Sequence, residues 1–162
     1  MERATIYTKF GYFYLEGSPR GLRRVKRLEG SAEVSEELPV SLRPAAQQLN
    51  AYFAGHRQAF DLPLDWSGAS EFNQKVWHVL LSVPYGHTIS YGAIAQRIGQ
   101  PEAYQAVGMA NKHNPLAIVV PCHRCIGQNG DLVGYSGGGV AFKQELLRLE
   151  NPMSFAIQGE LF

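Results

Sequence analysis

Hydrophobic and polar residues alternate along the first part of the chain, a pattern typical of half-buried strands. The alternation covers three runs, residues 5–7, 12–15 and 22–28. Gly11 and the segment from Gly17 to Gly21 separate these runs and supply residues that favour tight turns. Three short strands joined in this way predict an antiparallel meander.

The pattern then changes to helical spacing. Residues 42–54 predict a helix with Ser41 as its N-cap and Gly55 as its end. The segment 67–69 (Ser-Gly-Ala) is typical of a linker. We therefore expect two domains, covering residues 1–68 and 69–162.

The second half predicts four helices. The first begins at Ser70 and ends before Pro84, the second is capped by Ser90 and ends at Gly99, and the last covers residues 142–150. Between them, Pro101 fits the first turn of a helix over residues 103–112. The two central helices form a helix-turn-helix candidate, with the second as the reading helix. That helix carries small residues, which favour either close approach to DNA or helix packing in the core.

Composition narrows the class of protein. The 162 residues are 45% hydrophobic and 18% charged, values typical of a globular protein, and no apolar run is long enough to span a membrane. The N-terminal residues lack the hydrophobic core of a signal peptide, so a cytoplasmic location is expected. The net charge of +1 restricts any DNA contact to a small local surface.

Candidate chemistry centres on Cys122, which directly follows a β-branched run and Pro121. This position suits a nucleophile at the edge of a cleft, although a free cysteine is also often a buried structural residue. The glycine-rich segments 127–130 and 134–139 predict a flexible loop over the thiol. Only two cysteines occur, which excludes a disulfide scaffold and disfavours a cysteine-rich zinc site.

A thiol becomes nucleophilic as the thiolate, so Cys122 needs a base, and His123 is adjacent. A carboxylate on the other ring nitrogen would complete a relay, and the residues leave Glu150, Glu145 and Asp131 open. Cys122 and Cys125 also form a C-x-x-C pair. No helix is predicted to begin there, which disfavours a redox motif.

The order of several short motifs closely resembles the O6-alkylguanine-DNA alkyltransferase family. They are Phe72-x3-Val76-Trp77, Pro84-Tyr85-Gly86, Ser90-Tyr91-Gly92, Ala106-Val107-Gly108, Asn114-Pro115, Pro121-Cys122-His123-Arg124, Gly134-Tyr135-x-Gly137-Gly138, Lys143-x2-Leu146-Leu147 and Glu150. The N-terminal half is similar too, through Leu49-x2-Tyr52-Phe53-Ala54-Gly55. The resemblance extends over nearly the whole chain.

The resemblance implies an α/β fold. It places a small antiparallel sheet with helices, ribonuclease H-like, before a mostly helical, winged-helix-like domain that carries the helix-turn-helix. It implies single-turnover repair of double-stranded DNA containing O6-alkylguanine, and more slowly O4-alkylthymine, by a monomer that needs no cofactor or metal. Cooperative binding along DNA is left open. The reading helix would enter the minor groove and the target nucleotide would be turned out of the duplex.

The resemblance also implies roles for individual residues. Cys122 would accept the alkyl group, His123 would act through water as the base, and Glu150 would orient it. Tyr91 would donate a proton to the departing guanine, and Asn114 would brace the active-site turn. Further positions line the substrate pocket or contact DNA: Tyr135 and Ser136 in the lid, backbone groups near Val120 at the base edge, and Gln105, Tyr104, Ala106, Gly108 and Arg124 at the DNA.

Two departures from the family pattern fall together. Members usually have Arg where this chain has Gln105, and a small residue where it has Tyr104. Gln105 lacks the charge and stacking surface of Arg, and Tyr104 either replaces it as an aromatic wedge or blocks close approach. If it blocks, the alternative is an alkyltransferase-like protein that binds lesions with weak or no transfer.

Overall fold

The computed structural model describes residues 1–127 and 134–153, and its contacts divide the chain into two compact units. The first contains Met1–Ser67 and Pro115–Val119, and the second contains Gly68–Asn114 and the chain from Val120 onward. The hydrophobic pattern did not predict that Pro115–Val119 belongs to the first unit. In the described residues, no helix has the length and apolar character needed to cross a membrane.

The first unit is built on the predicted meander. Strands β1 (Glu2–Thr8), β2 (Gly11–Ser18) and β3 (Gly21–Arg27) form an antiparallel sheet in that order. The register pairs Ile6 with Phe13 and Leu15 with Val25. Because alternate side chains of a strand share a face, all four pack on the buried side of the sheet. The predicted α/β class is confirmed.

Helix α1 (Arg43–Phe53) supplies the rest of the core of this unit, with Leu49, Tyr52 and Phe53 buried. The predicted cap at Ser41 is wrong. A 3-10 turn over Val40–Leu42 precedes the helix, and Leu42 takes the N-cap position without a side-chain cap. Gly55 ends the helix as predicted, with a positive φ of 79° that suits glycine.

The second unit is mostly helical. Helix α2 (Glu71–Leu81) begins where Ser70 accepts a hydrogen bond from the Asn73 amide, and α3 (Tyr91–Arg97) begins at the same kind of cap on Ser90. Helix α4 (Tyr104–Lys112) packs against both α2 and α3. The helix predicted over residues 103–112 therefore starts one residue later, and Pro101 lies outside its first turn because the Ala103 amide closes a turn on the Gln100 carbonyl.

A two-stranded parallel pair connects the helix-turn-helix to the cysteine segment. Strand β4 (Ile89–Ser90) pairs with β5 (Cys125–Ile126), immediately before α3 and immediately after Cys122–Arg124. Such short strands give almost no sequence signal, and this pairing brings the start of α3 beside the thiol. Helix α5 (Gly139–Glu150) closes the described chain and begins three residues before its predicted start.

Candidate active site around Cys122

Tight turns hold Cys122 in place. Pro121 has φ −81° and ψ 63°, and the Cys122 amide donates to the Val120 carbonyl at 2.8 Å, which is the geometry of an inverse γ-turn. A 3-10 turn over Cys122–Arg124 follows directly. The backbone is therefore folded at Cys122, and His123 and Arg124 are both buried beside it.

Asn114, which lies just after the C-terminal end of α4, braces this turn. Its Nδ2 lies 2.8 Å from the Val120 carbonyl oxygen and 3.2 Å from Cys122 Sγ. The Val120 oxygen thus accepts two hydrogen bonds, one from Asn114 and one from the Cys122 amide, which occupies both lone pairs. The predicted contact of backbone groups near Val120 with the base edge stays a prediction, and this carbonyl already accepts two hydrogen bonds within the protein.

Glu150, at the end of α5, joins the two residues that follow the thiol. Its Oε2 lies 2.7 Å from His123 Nε2 and its Oε1 lies 2.8 Å from Arg124 Nε. Arg124 completes a two-bond contact through Nη2 at 3.0 Å and donates from Nη1 to the Val83 carbonyl at 2.7 Å. Among the three acids that the sequence leaves open, Glu150 is the one beside His123; Glu145 is exposed and Asp131 lies outside the described residues.

The protonation states follow from burial and charge. Although burial alone would raise the pKa of Glu150, the hydrogen bonds from His123 and Arg124 and the positive charge of Arg124 hold it well below its usual value. Burial lowers the pKa of His123 and keeps its ring neutral. The bond to Glu150 assigns the hydrogen to Nε2. Nδ1 is buried without a partner in the described part of the chain, so its lone pair is available to accept a proton, through water if needed.

The thiol itself is neutral at rest. Cys122 is 4% exposed, and burial raises its pKa, with Asn114 and Lys143 opposing the rise. Burial also raises the pKa of Cys125, to about 12. A neutral buried thiol reacts slowly with solutes, and a proton must leave it before it can act as a nucleophile. His123 is the neighbouring neutral base.

Cys122 opens onto a cavity of about 440 Å³ within the second unit. Its wall includes Tyr91, Gly108, Asn111, Cys122, Tyr135 and Ser136. Of these, the sequence predicted all but Asn111 for catalysis, substrate binding or DNA contact. Burial raises the pKa of Tyr91, so the phenol holds its proton at neutral pH and is a weaker acid than a solvent-exposed tyrosine.

The predicted DNA contacts separate into two groups. Tyr104, Gln105 and Ala106 lie exposed in the first turn of α4, and the side chain of Tyr104 is 52% exposed. Arg124 is 7% exposed with its guanidinium bound to Glu150 and Val83. A DNA contact by Arg124 does not fit this burial, because the charge is already paired inside the protein. The predicted loop over residues 127–130 lies outside the described residues except for Gly127.

Gly137 leaves room for the ring of Tyr135, because a methyl group on its Cα would collide with the phenol carbons and oxygen. We expect Gly137→Ala to displace Tyr135 from the cavity wall and slow transfer between about 10- and 100-fold. Single-turnover kinetics with lesion-containing DNA would measure this. Gly134→Ala is the matched control, since a methyl there meets no atom of the described residues within 4 Å. Equal rates for both variants would show that the Tyr135 position is unimportant.

Comparison with known proteins agrees with this architecture. Residues 1–66 match the model described as 6-O-methylguanine DNA methyltransferase, ribonuclease-like domain, and residues 71–152 match the DNA binding domain of the same family. Fold and site together define a two-domain methyltransferase whose buried cysteine lies on its DNA-binding domain. The chain belongs to the 6-O-methylguanine DNA methyltransferase family.

Individual relatives cover nearly the full length. A methylated-DNA--protein-cysteine methyltransferase from Mycolicibacterium paratuberculosis is 47% identical over 154 residues, 93% of this chain and 92% of the relative. A protein of the same name from Methanosarcina acetivorans is 44% identical over 157 residues, 93% of this chain and 98% of the relative. The crystal structure of Mycobacterium tuberculosis OGT in complex with DNA superposes with a TM-score of 0.81 at 47% identity, covering 91% of each chain.

Proposed function

We propose that this protein repairs DNA by moving a methyl or larger alkyl group from O6-alkylguanine, and more slowly from O4-alkylthymine, to Cys122. One observation carries the proposal. The Cys122 thiol faces a cavity whose volume lies within the range of small-molecule sites, about 300–1,000 Å³, with a neutral buried histidine next to it in the chain. Each molecule acts once, because the resulting thioether is stable.

The reaction is a single displacement. The thiol proton leaves through water to His123 Nδ1, and Glu150 stabilises the imidazolium that forms. The sulfur attacks the alkyl carbon, a carbon–sulfur bond forms, and the carbon–oxygen bond breaks with its electron pair remaining on the base. Tyr91 protonates the departing guanine. His123 then releases its proton to solvent and Tyr91 regains one from solvent, so that overall the proton lost by the thiol equals the one gained by the base.

DNA reaches the thiol only if the damaged nucleotide leaves the stack, since its O6 is inaccessible inside a duplex. The helix-turn-helix of α3 and α4 presents exposed residues beside the cavity that Gly108 helps to line. Binding from the minor groove, as the family resemblance implies, would place the turned-out base against Tyr135 and Ser136. The partner is therefore double-stranded DNA containing the lesion.

Transfer of label tests the proposal. A duplex carrying O6-methylguanine with a radioactive methyl group is incubated in excess over the protein, and protein-bound label is counted. We expect one methyl per active molecule and no second turnover. Retention of the duplex by the protein without label transfer would instead support the alternative, a lesion-binding protein that does not repair.

Tyr104 provides a separate test of how the duplex is opened. Its exposed ring at the start of α4 suits a wedge in the gap left by the turned-out base, a role for which Gln105 has less stacking surface. Base stacking on an aromatic side chain contributes about 1–3 kcal/mol, so Tyr104→Ala is expected to slow repair between about 5- and 150-fold. Met109→Ala, which shortens another exposed apolar side chain of α4, should have the smaller effect. A Tyr104→Ala protein that repairs as well as the parent would eliminate the wedge.

A further inference from the structure

Asn111 is a buried amide that has no hydrogen-bond partner among the described residues. It lies on the inner face of α4 with Val107 and Ala110 and is 7% exposed. Neither its Nδ2 nor its Oδ1 has a partner within hydrogen-bonding geometry in the described residues. Leaving a buried amide unpaired lowers stability, and an apolar side chain of similar size would avoid that cost. Its presence in the wall of the reactive cavity therefore requires a reason.

A hydrogen bond to the neighbouring backbone anchors the helix turn that carries Asn111. Trp77 Nε1 donates to the carbonyl of Ala110, the preceding residue, at 2.9 Å, which anchors this turn of α4 to α2. Asn111 also shares the cavity wall with Tyr91 and Cys122. The backbone at Asn111 is thus anchored at the wall of the cavity that Tyr91 and Cys122 also line.

The amide influences one of these groups as a donor. Burial raises the pKa of Tyr91, and the Asn111 side chain opposes that rise, as an N–H directed at the phenol oxygen would. It opposes the rise for the Cys125 thiol in the same way. Since both polar atoms of Asn111 are shielded from the cavity, direct contact with a base is less favoured than action through Tyr91.

We propose that Asn111 is a positioning residue for Tyr91, whose amide N–H donates to the phenol oxygen as Tyr91 gives its proton to the departing guanine. This inference rests on the proposed function. When the O–H proton moves to the base, the phenol oxygen gains negative charge, and a nearby donor with no other partner stabilises that charge without first breaking a bond. Solvent returns the proton to Tyr91 after the base has left.

Asn111→Leu tests the proposal, because leucine has a similar volume and no polar atoms. The rate of methyl transfer at saturating O6-methylguanine duplex is expected to fall about tenfold, part of the 10²–10⁴-fold effect of general acid catalysis. The half-saturating concentration of duplex should stay within about twofold of the parent, and the melting temperature of the free protein should stay equal or rise. Gln47→Leu, on the exposed face of α1, is the control for loss of an amide and should transfer at the parent rate.

A double-mutant cycle separates action through Tyr91 from a general effect on the cavity. In a Tyr91→Phe background, adding Asn111→Leu is expected to cause no further loss of rate, because the group that Asn111 serves is already gone. Three results would each overturn the proposal: an equal loss of transfer rate in both backgrounds, a change only in the half-saturating concentration of duplex, or a lowered melting temperature of Asn111→Leu. If the parent transfers methyl and Asn111→Leu transfers equally fast, this inference alone fails. If the parent transfers none, the proposed function fails.

Discussion

Cys122→Ala is expected to abolish alkyl transfer while leaving lesion binding intact. The structure offers this thiol to the cavity with Asn114 at 3.2 Å and a neutral histidine as the adjacent residue. Removing a nucleophile that acts with a base typically costs a factor of about 10⁶ in rate, so any remaining transfer should lie below detection. The single-turnover label assay measures the loss, and gel retardation with the same duplex measures the binding.

Cys125→Ala is the matched control for that variant. Both thiols are buried and lie three residues apart, but the pKa of Cys125 is raised to about 12, and Cys125 is absent from the cavity wall. The Cys125→Ala protein should therefore transfer methyl at close to the parent rate. Transfer that survives Cys122→Ala and disappears in Cys125→Ala would exchange the roles of the two thiols.

Glu150→Leu is expected to destabilise the protein by about 3–5 kcal/mol, the cost of leaving a buried charge without its partner. The uncompensated group is Arg124, which is 7% exposed and binds Glu150 through two nitrogens. Transfer should slow as well, because His123 Nε2 loses the acceptor that fixes its tautomer. Urea unfolding gives the free energy, and single-turnover kinetics give the rate.

Acid should reduce the difference in unfolding free energy between Glu150→Leu and the parent. Because the folded protein holds the pKa of Glu150 below its ordinary value of about 4.3, the carboxylate stabilises the fold above that pH. This stabilisation is lost as the pH falls from there toward the folded-state pKa. The gap in unfolding free energy between parent and Glu150→Leu should therefore shrink over the same interval.

Two further variants show whether the unpaired charge of Arg124 causes the loss of stability in Glu150→Leu. Glu145→Leu removes an exposed carboxylate from the same helix and should change stability by no more than about 0.5 kcal/mol. Adding Arg124→Met to Glu150→Leu removes the stranded charge and should recover much of the lost stability, while transfer remains slow. A Glu150→Leu protein as stable as Glu145→Leu would contradict the buried ion pair.

Local signals were sufficient for most of the fold. The meander follows from period-two alternation, and the caps at Ser70 and Ser90 form as hydroxyl side chains at helix starts predict. The pairing of β4 with β5 was not predictable, since two-residue strands carry no periodicity and depend on contact between distant segments. The start of α4 was predicted to within one residue, but the placement of Pro101 in its first turn was wrong, because the Gln100 carbonyl closes a separate turn there.

The candidate site, like the fold, was predicted only in part. Motif resemblance brought Cys122, His123 and Glu150 together, and the structure places the latter two in hydrogen-bond contact. Arg124 was expected at the DNA, although its charge is paired inside the protein. A basic residue beside a catalytic motif has the same sequence signature in either place, and only burial distinguishes them. Asn111 was missed because a single polar residue on an apolar helix face has no motif.

Peptide mapping after repair tests the central claim most directly, namely that the Cys122 thiol is the alkyl acceptor. The protein is incubated with a duplex containing one O6-methylguanine, digested, and analysed by fragment-ion mass spectrometry that separates Cys122 from Cys125. The account predicts one methyl group on Cys122, a matching loss of methyl from the DNA, and an unmodified Cys125. Methyl lost from DNA with Cys122 unmodified, or lesion binding with both thiols unmodified, would contradict it.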